Sequence, residues 1–218
     1  MTSAPGSDGE FDKVLVVDFG AQYAQLIARR VREANVYSEI ISPRSTAAEI
    51  AAKEPTGIIF SGGPDSVHAE GAIAIDPEVY DLDVPILGIC YGAQLIAQQN
   101  GGTVGRTDRG EYGRTVLSVE GDGGTLLSGT PAEQNVWMSH FDAITVPPEG
   151  VTPTASTPDA PVAAFESAER KLYGVQFHPE VMHTEHGQHV IERFLREGCG
   201  TPGDWTMASI IDTSVEQI

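Results

Sequence analysis

Residues 13–18 hold a continuous apolar run, Val14 to Val17, closed by Asp18-Phe19-Gly20, the pattern of a strand buried on both faces of a parallel sheet. Residues 22–33 follow with Tyr23, Leu26, Ile27 and Val31 at helical spacing and Arg29, Arg30 and Arg32 turned outward, which predicts an amphipathic helix. The alternation continues with a strand over 36–41, a helix over 46–53, strands over 57–61 and 84–89, and a helix over 91–100. Strands alternating with helices build βαβ units around a parallel sheet. Beyond Gly101-Gly102 the pattern changes to short strand candidates over 114–120, 135–138, 144–146, 162–167 and 172–177, separated by Gly and Pro. An antiparallel extension of the same sheet is the economical reading. A helix over 186–197, with Val190, Ile191, Phe194 and Leu195 inward, closes the fold. The expected class is therefore α/β, a three-layer open sheet, mostly parallel with an antiparallel extension.

The ends differ from this body. Residues 1–12 are rich in Gly, Ser, Pro and Asp, bury little apolar area and predict a disordered tail. The domain itself is expected over 13–198. Residues 199–218 read as a linker and the start of a helix, with Met207, Ile210, Ile211, Val215 and Ile218 near helical spacing. A chain of 218 residues is otherwise the size of one domain.

Charge narrows the function classes. Thirteen Lys and Arg against 31 Asp and Glu leave −18, and such a surface repels phosphate backbones and anionic lipid, so nucleic-acid and membrane-surface roles are disfavoured. Forty per cent hydrophobic residues suffice for a sizeable core. The apolar runs are far shorter than the roughly 20 residues that span a bilayer. Cys90 and Cys199 stand far apart with no leader-like start before them, which predicts a reducing, cytoplasmic setting.

Chemistry concentrates where the strand 84–89 meets the helix 91–100. Gly88-Ile89-Cys90-Tyr91-Gly92 is the cysteine counterpart of a G-x-S-x-G nucleophile elbow. Its glycines permit a sharp turn that lifts the Cys90 thiol above the carboxyl end of the strand, at a helix N-terminus whose partial positive charge favours a thiolate. His178-Pro179-Glu180 follows the strand 172–177. In an extended chain i and i+2 project to one side, so Glu180 can orient the imidazole of His178, and Pro179 stiffens the arrangement. Cys90, His178 and Glu180 thus fit the nucleophile, base and orienter of a triad.

Two stretches carry competing readings. Ser61-Gly62-Gly63-Pro64-Asp65-Ser66 resembles a pyrophosphate-cradling loop, but Pro64 removes a backbone donor and no basic residue is near; the alternative is that the Gly63 amide joins that of Tyr91 in an oxyanion hole. His183, His186 and Glu180 raise a metallohydrolase, disfavoured because zinc-binding helices space paired ligands four apart and no second cluster exists; no metal site is expected.

Together these motifs resemble the class I (triad) glutamine amidotransferases, which hydrolyse glutamine through a γ-glutamyl thioester and deliver ammonia elsewhere. Asp18-Phe19-Gly20-Ala21-Gln22-Tyr23, Ser61-Gly62-Gly63-Pro64, Glu111-Tyr112-Gly113 and Trp137-Met138-Ser139-His140 with Asp142 are similar, more narrowly, to amidotransferase domains of the GMP synthase family. The resemblance runs from Lys13 nearly to the end of the chain. It implies an amidotransferase fold with a flavodoxin-like core, Cys90, His178 and Glu180 as triad, the Gly63 and Tyr91 amides as oxyanion hole, and Gln94, His140 and Asp142 as residues that hold L-glutamine. It further implies no cofactor in this domain, and a partner synthetase domain of the ATP pyrophosphatase type, fused or separate. That domain would use ATP and Mg to aminate XMP to GMP, in a homodimeric full-length enzyme. Phe141 departs from the family pattern, which usually has Gly there. The competing functions are a free-standing γ-glutamyl Cys hydrolase of the same fold and a glutamine or nucleotide sensor.

Overall fold

The computed structural model describes residues 11–20 and 22–206. Most of the expected N-terminal tail and of the segment 205–218 lies outside the described residues. Among the described residues nine strands form a single sheet: β1 (Lys13–Val17), β2 (Tyr37–Ile41), β3 (Gly57–Phe60), β4 (Ile86–Ile89), β5 (Thr103–Val119), β6 (Glu133–Val146), β7 (Thr152–Ser156), β8 (Ala164–Ser167) and β9 (Leu172–Val175). Their order is β2-β1-β3-β4-β9-β8-β7-β5-β6. The first five are mutually parallel and the remainder continue antiparallel from β9. The sheet is thus a doubly wound core carrying an antiparallel extension.

Burial on both faces explains the apolar runs. Val14 and Val16 of β1 enter one core with Ile27 and Val31 of α1 (Ala24–Glu33), Leu126 and Leu127 of α4 (Gly124–Leu127) and Val190 and Ile191 of α5 (Gly187–Arg193). Leu15 and Val17 enter the other, with Ile50 of α2 (Ala47–Ala51) and Leu95 and Ile96 of α3 (Tyr91–Gln99). Successive strand residues feed opposite faces, so no polar position is tolerated within the run. α2 starts from a capping box in which the Thr46 hydroxyl accepts from the Glu49 amide and the Glu49 side chain accepts from that of Thr46.

The antiparallel part extends further than its pattern predicts. β5 begins at Thr103 rather than near 114, and β6 unites the two strands expected at 135–138 and 144–146. Register shifts near Thr103 and between Arg106 and Glu111, and a positive φ at Gly113, interrupt the alternation that marks a strand. β7 has the sequence TPTAS, whose proline and small residues hide a strand that pairs with β5 and β8.

The described residues after 198 lie against the rest of the fold. The Trp205 amide donates to the Asn35 carbonyl at 3.0 Å, and its buried indole packs on Tyr37, ring centres 5.9 Å apart. This anchor lies beside the start of β2. Asp18, Ser61, Cys90 and His178 instead follow the carboxyl ends of β1, β3, β4 and β9, the edge where open parallel sheets bind ligands. Among the described residues no helix is long and apolar enough to cross a membrane.

Candidate active site

Cys90 passes straight from β4 into α3 with φ 51° and ψ −105°. A non-glycine residue held there costs about 1–3 kcal/mol and persists only where its surroundings enforce it. The flanking glycines do so. A Cβ on Gly88 would stand 2.5 Å from the Ala93 nitrogen, and one on Gly92 2.5 Å from the Phe60 carbonyl oxygen, so α3 lies directly on the strands. The Cys90 amide donates to the Val175 carbonyl at 2.8 Å, tying the elbow to β9. Its Sγ lies 3.6 Å from the Ser139 carbonyl oxygen and 3.8 Å from Nε2 of Gln176. The first turn of α3 leaves its amides without intrahelical acceptors, including that of Tyr91 beside the thiol.

His178 sits three residues past the end of β9, clamped by its own backbone. Its amide donates to the Trp137 carbonyl at 2.9 Å and its carbonyl accepts from the Thr184 hydroxyl at 2.6 Å. Nδ1 lies 2.8 Å from Oε1 of Glu180, and the Tyr23 ring packs on the imidazole at 5.3 Å. Both side chains of the pair are buried. Burial opposes charge on the His178 ring, but the negative charge of Cys90 and its hydrogen bond, seconded by those of Glu180, outweigh it and raise the ring from 6.5 to about 11. With Nδ1 engaged by Glu180, Nε2 is the nitrogen that serves Cys90. Oε2 of Glu180 is buried without a hydrogen-bond partner among the described residues, while the Glu180 carbonyl accepts from Nε of Arg30 at 2.9 Å.

A cleft of about 330 Å³ opens above Cys90. Gly63, Tyr91, Gln94, His140 and Asp142 all line it, with Tyr23, Tyr112, Ser139 and Phe141. Gly63 is packed on the Tyr91 ring so closely that a Cβ would come 2.8 Å from Cγ. Its loop is held by Ser61, whose hydroxyl accepts from the Phe19 amide at 3.0 Å and whose carbonyl accepts from the Gly92 amide at 3.1 Å. Nε2 of Gln94 donates to the Asp142 carbonyl at 2.6 Å and to Oε1 of Gln176 at 3.2 Å. His140 is buried, with Nδ1 2.9 Å from the Asp142 carbonyl and Nε2 3.0 Å from Oε2 of Glu111. Phe141 is 38% exposed and lies under Arg106, whose guanidinium carbon is 4.4 Å from the ring centre.

All eight residues expected from the sequence thus meet: six on the walls of one cleft, His178 and Glu180 behind Cys90. The 61–66 loop contributes Asp65 to a wall that also carries Asp142 and no Lys or Arg among its described residues, an environment suited to an ammonium group and hostile to a polyphosphate. Of the residues raised as metal ligands, Glu180 faces His178, His183 stacks on Trp137 at 4.7 Å, and His186 starts α5.

Gln176, Tyr23 and Thr184 are site residues that sequence patterning does not single out. Gln176 sits inside a run that reads as strand, and Tyr23 patterns with the apolar face of a helix that begins one residue later. Their proximity to the triad arises from tertiary packing, which periodicity does not report.

A strained cysteine at a helix N-terminus, coupled to a buried His–Glu pair, equips this edge of the sheet for acyl transfer through a thioester. The glutamine amidotransferase class-I family matches residues 15–197, and the chain belongs to that family. Across all its 218 residues the chain is 59% identical to the glutamine-hydrolyzing GMP synthase of Streptomyces avermitilis, of which it covers 41%. Over 205 residues, 94% of the chain, it is 59% identical to that of Nocardia farcinica, covering 39%. The chain therefore spans about 40% of the length of these curated relatives. The crystal structure of a Thermoplasma acidophilum protein, provisionally described as one chain of a GMP synthase, superposes with a TM-score of 0.79 at 32% identity, covering 88% of this chain and 96% of that one.

Proposed function

We propose that the chain is the glutamine-hydrolysing domain of a GMP synthase. The Cys90 thiolate attacks the carboxamide carbon of L-glutamine, and the oxyanion that forms is met by the amides of Gly63 and Tyr91. The His178 imidazolium gives its proton to the departing ammonia, then takes one from the water that cleaves the γ-glutamyl thioester, so that the Cys90 thiolate and the imidazolium are restored as glutamate leaves. Glu180 holds the imidazole in the orientation and charge state this requires. Gln94, His140 and Asp142 form the end of the cleft that receives the amino acid's α-groups, with the Asp142 carboxylate suited to the α-ammonium. The two free cysteines fit a reducing cytoplasm.

The observation that carries this reading is the coupling of Cys90 to a His178 whose other nitrogen lies 2.8 Å from the Glu180 carboxylate. Ammonia would pass to the synthetase region that accounts for the remaining length of the relatives. There ATP and Mg serve the amination of XMP, and no cofactor is assigned to the present domain. Ammonia release from L-glutamine, followed with and without the synthetase region loaded with XMP and ATP, tests the reading. Release that vanishes in Cys90→Ala and rises with the loaded partner supports it; equal turnover with and without the partner refutes the coupling, and undiminished release from folded Cys90→Ala refutes the glutaminase.

A further inference from the structure

The Asp142 carbonyl receives two donors at once, Nε2 of Gln94 at 2.6 Å and Nδ1 of His140 at 2.9 Å. The other nitrogen of His140 faces Oε2 of Glu111 at 3.0 Å, and that same oxygen accepts from the Thr157 hydroxyl at 2.8 Å. Glu111 belongs to β5, His140 and Asp142 to β6, Gln94 to α3, and Thr157 lies just after β7. Parts of the chain that share no local periodicity therefore converge on one short stretch of β6.

The chemistry of the ring restricts what His140 can do. A carbonyl and a carboxylate are both acceptors, so both contacts are satisfied only when each ring nitrogen carries a proton. Burial pushes the Glu111 carboxyl up, but hydrogen bonds from His140 and Thr157 outweigh it and hold the group below the usual carboxylate range. Glu111 and His140 are both more than nine-tenths buried. With both nitrogens committed to protein acceptors, the ring has no donor or acceptor left for an amino acid in the cleft.

We infer that Glu111 is a positioning residue for glutamine recognition: through His140 it pins the Asp142 backbone and so aims the Asp142 carboxylate at the substrate's α-ammonium group. His140 then acts through Asp142 rather than on glutamine itself. The inference rests on the glutaminase reading of the site and adds to it a residue that touches neither substrate nor triad. The site's charge logic favours it, since Asp142 lines the cleft while its backbone is fixed from two sides. A mis-set Asp142 weakens recognition, while the Cys90–His178 pair is held mainly by the β4–α3 elbow, the Val175 carbonyl and the Trp137 carbonyl, all outside the Glu111–His140–Asp142 contacts.

The test compares two electrophiles on Cys90. A glutamine-analogue electrophile reports recognition through KI and chemistry through kinact; iodoacetamide, which lacks the α-amino and α-carboxyl groups, reports thiol reactivity alone. Glu111→Ala is expected to raise KI about tenfold, with kinact and the iodoacetamide rate within about threefold of the parent. Glu111→Gln, which keeps an acceptor but loses the charge, is expected to fall between the two. An unchanged KI in Glu111→Ala overturns the inference, as does a parallel loss of iodoacetamide reactivity, which would mark general collapse. Should Glu111→Ala fail to fold, Thr157→Val removes one donor to the carboxylate and must raise KI in the same direction; unchanged KI there overturns the inference. A parent protein inert to the analogue would instead overturn the glutaminase reading.

Discussion

A side chain at Gly92 has nowhere to go, because its Cβ would lie 2.5 Å from the carbonyl oxygen of Phe60. That single approach sets how closely α3 sits on β3 and therefore where Cys90 stands above the sheet. Gly92→Ala is expected to push the helix outward at a cost of about 1–3 kcal/mol, the usual range for overpacking a filled site. Activity should fall by at least tenfold in protein that remains folded at the assay temperature. Thermal melts and ammonia release on the same sample check both effects, and full activity with an unchanged melt would show that the elbow tolerates the added methyl.

The His178–Glu180 bond makes a separate prediction. Glu180→Gln preserves shape but removes the negative charge that orients and stabilises the imidazolium. General acid–base catalysis is worth about 10² to 10⁴ in rate, so kcat should drop at least about 10²-fold while KM for glutamine changes little, the carboxylate being sealed from the cleft. A change in KM alone would place Glu180 in substrate binding instead.

His178 also predicts a pH dependence with a definite sign. Its ring is raised from 6.5 to about 11 in the folded protein, so the stabilisation from its charged form is complete below 6.5 and is lost as pH climbs through about 11. Burial works against the charge, and Cys90 is the largest influence in favour of it. In Cys90→Ala the ring should therefore titrate at lower pH than in the parent. Ring-proton NMR across pH 6 to 10 checks this: a parent signal that barely moves, and a variant signal that does. Coincident curves would remove Cys90 from the pair.

How much of this is legible in the sequence depends on whether one strand or two elements carry the information. β1, β3 and β4 are readable because both their faces are buried, so every fully buried position carries an apolar residue or glycine. The elbow is readable because its glycines, strand and helix adjoin. The first half of β5 is not, since Gly105, Gly110 and the register shift before Glu111 erase the alternation that marks a strand. Gln176 shows the limit most plainly: an amide inside an apolar run, it gains meaning only when β9 sets it beside β4 and places its nitrogen 3.8 Å from the Cys90 sulfur.

The central claim, that Cys90 is the nucleophile of a glutamine-specific site, meets its most direct test in intact-mass spectrometry after incubation with a glutamine-analogue electrophile. The account predicts a single adduct on the parent chain, mapped to Cys90, slowed by competing L-glutamine and absent from Cys90→Ala. Labelling that falls on Cys199, that persists in Cys90→Ala, or that L-glutamine does not slow would contradict it.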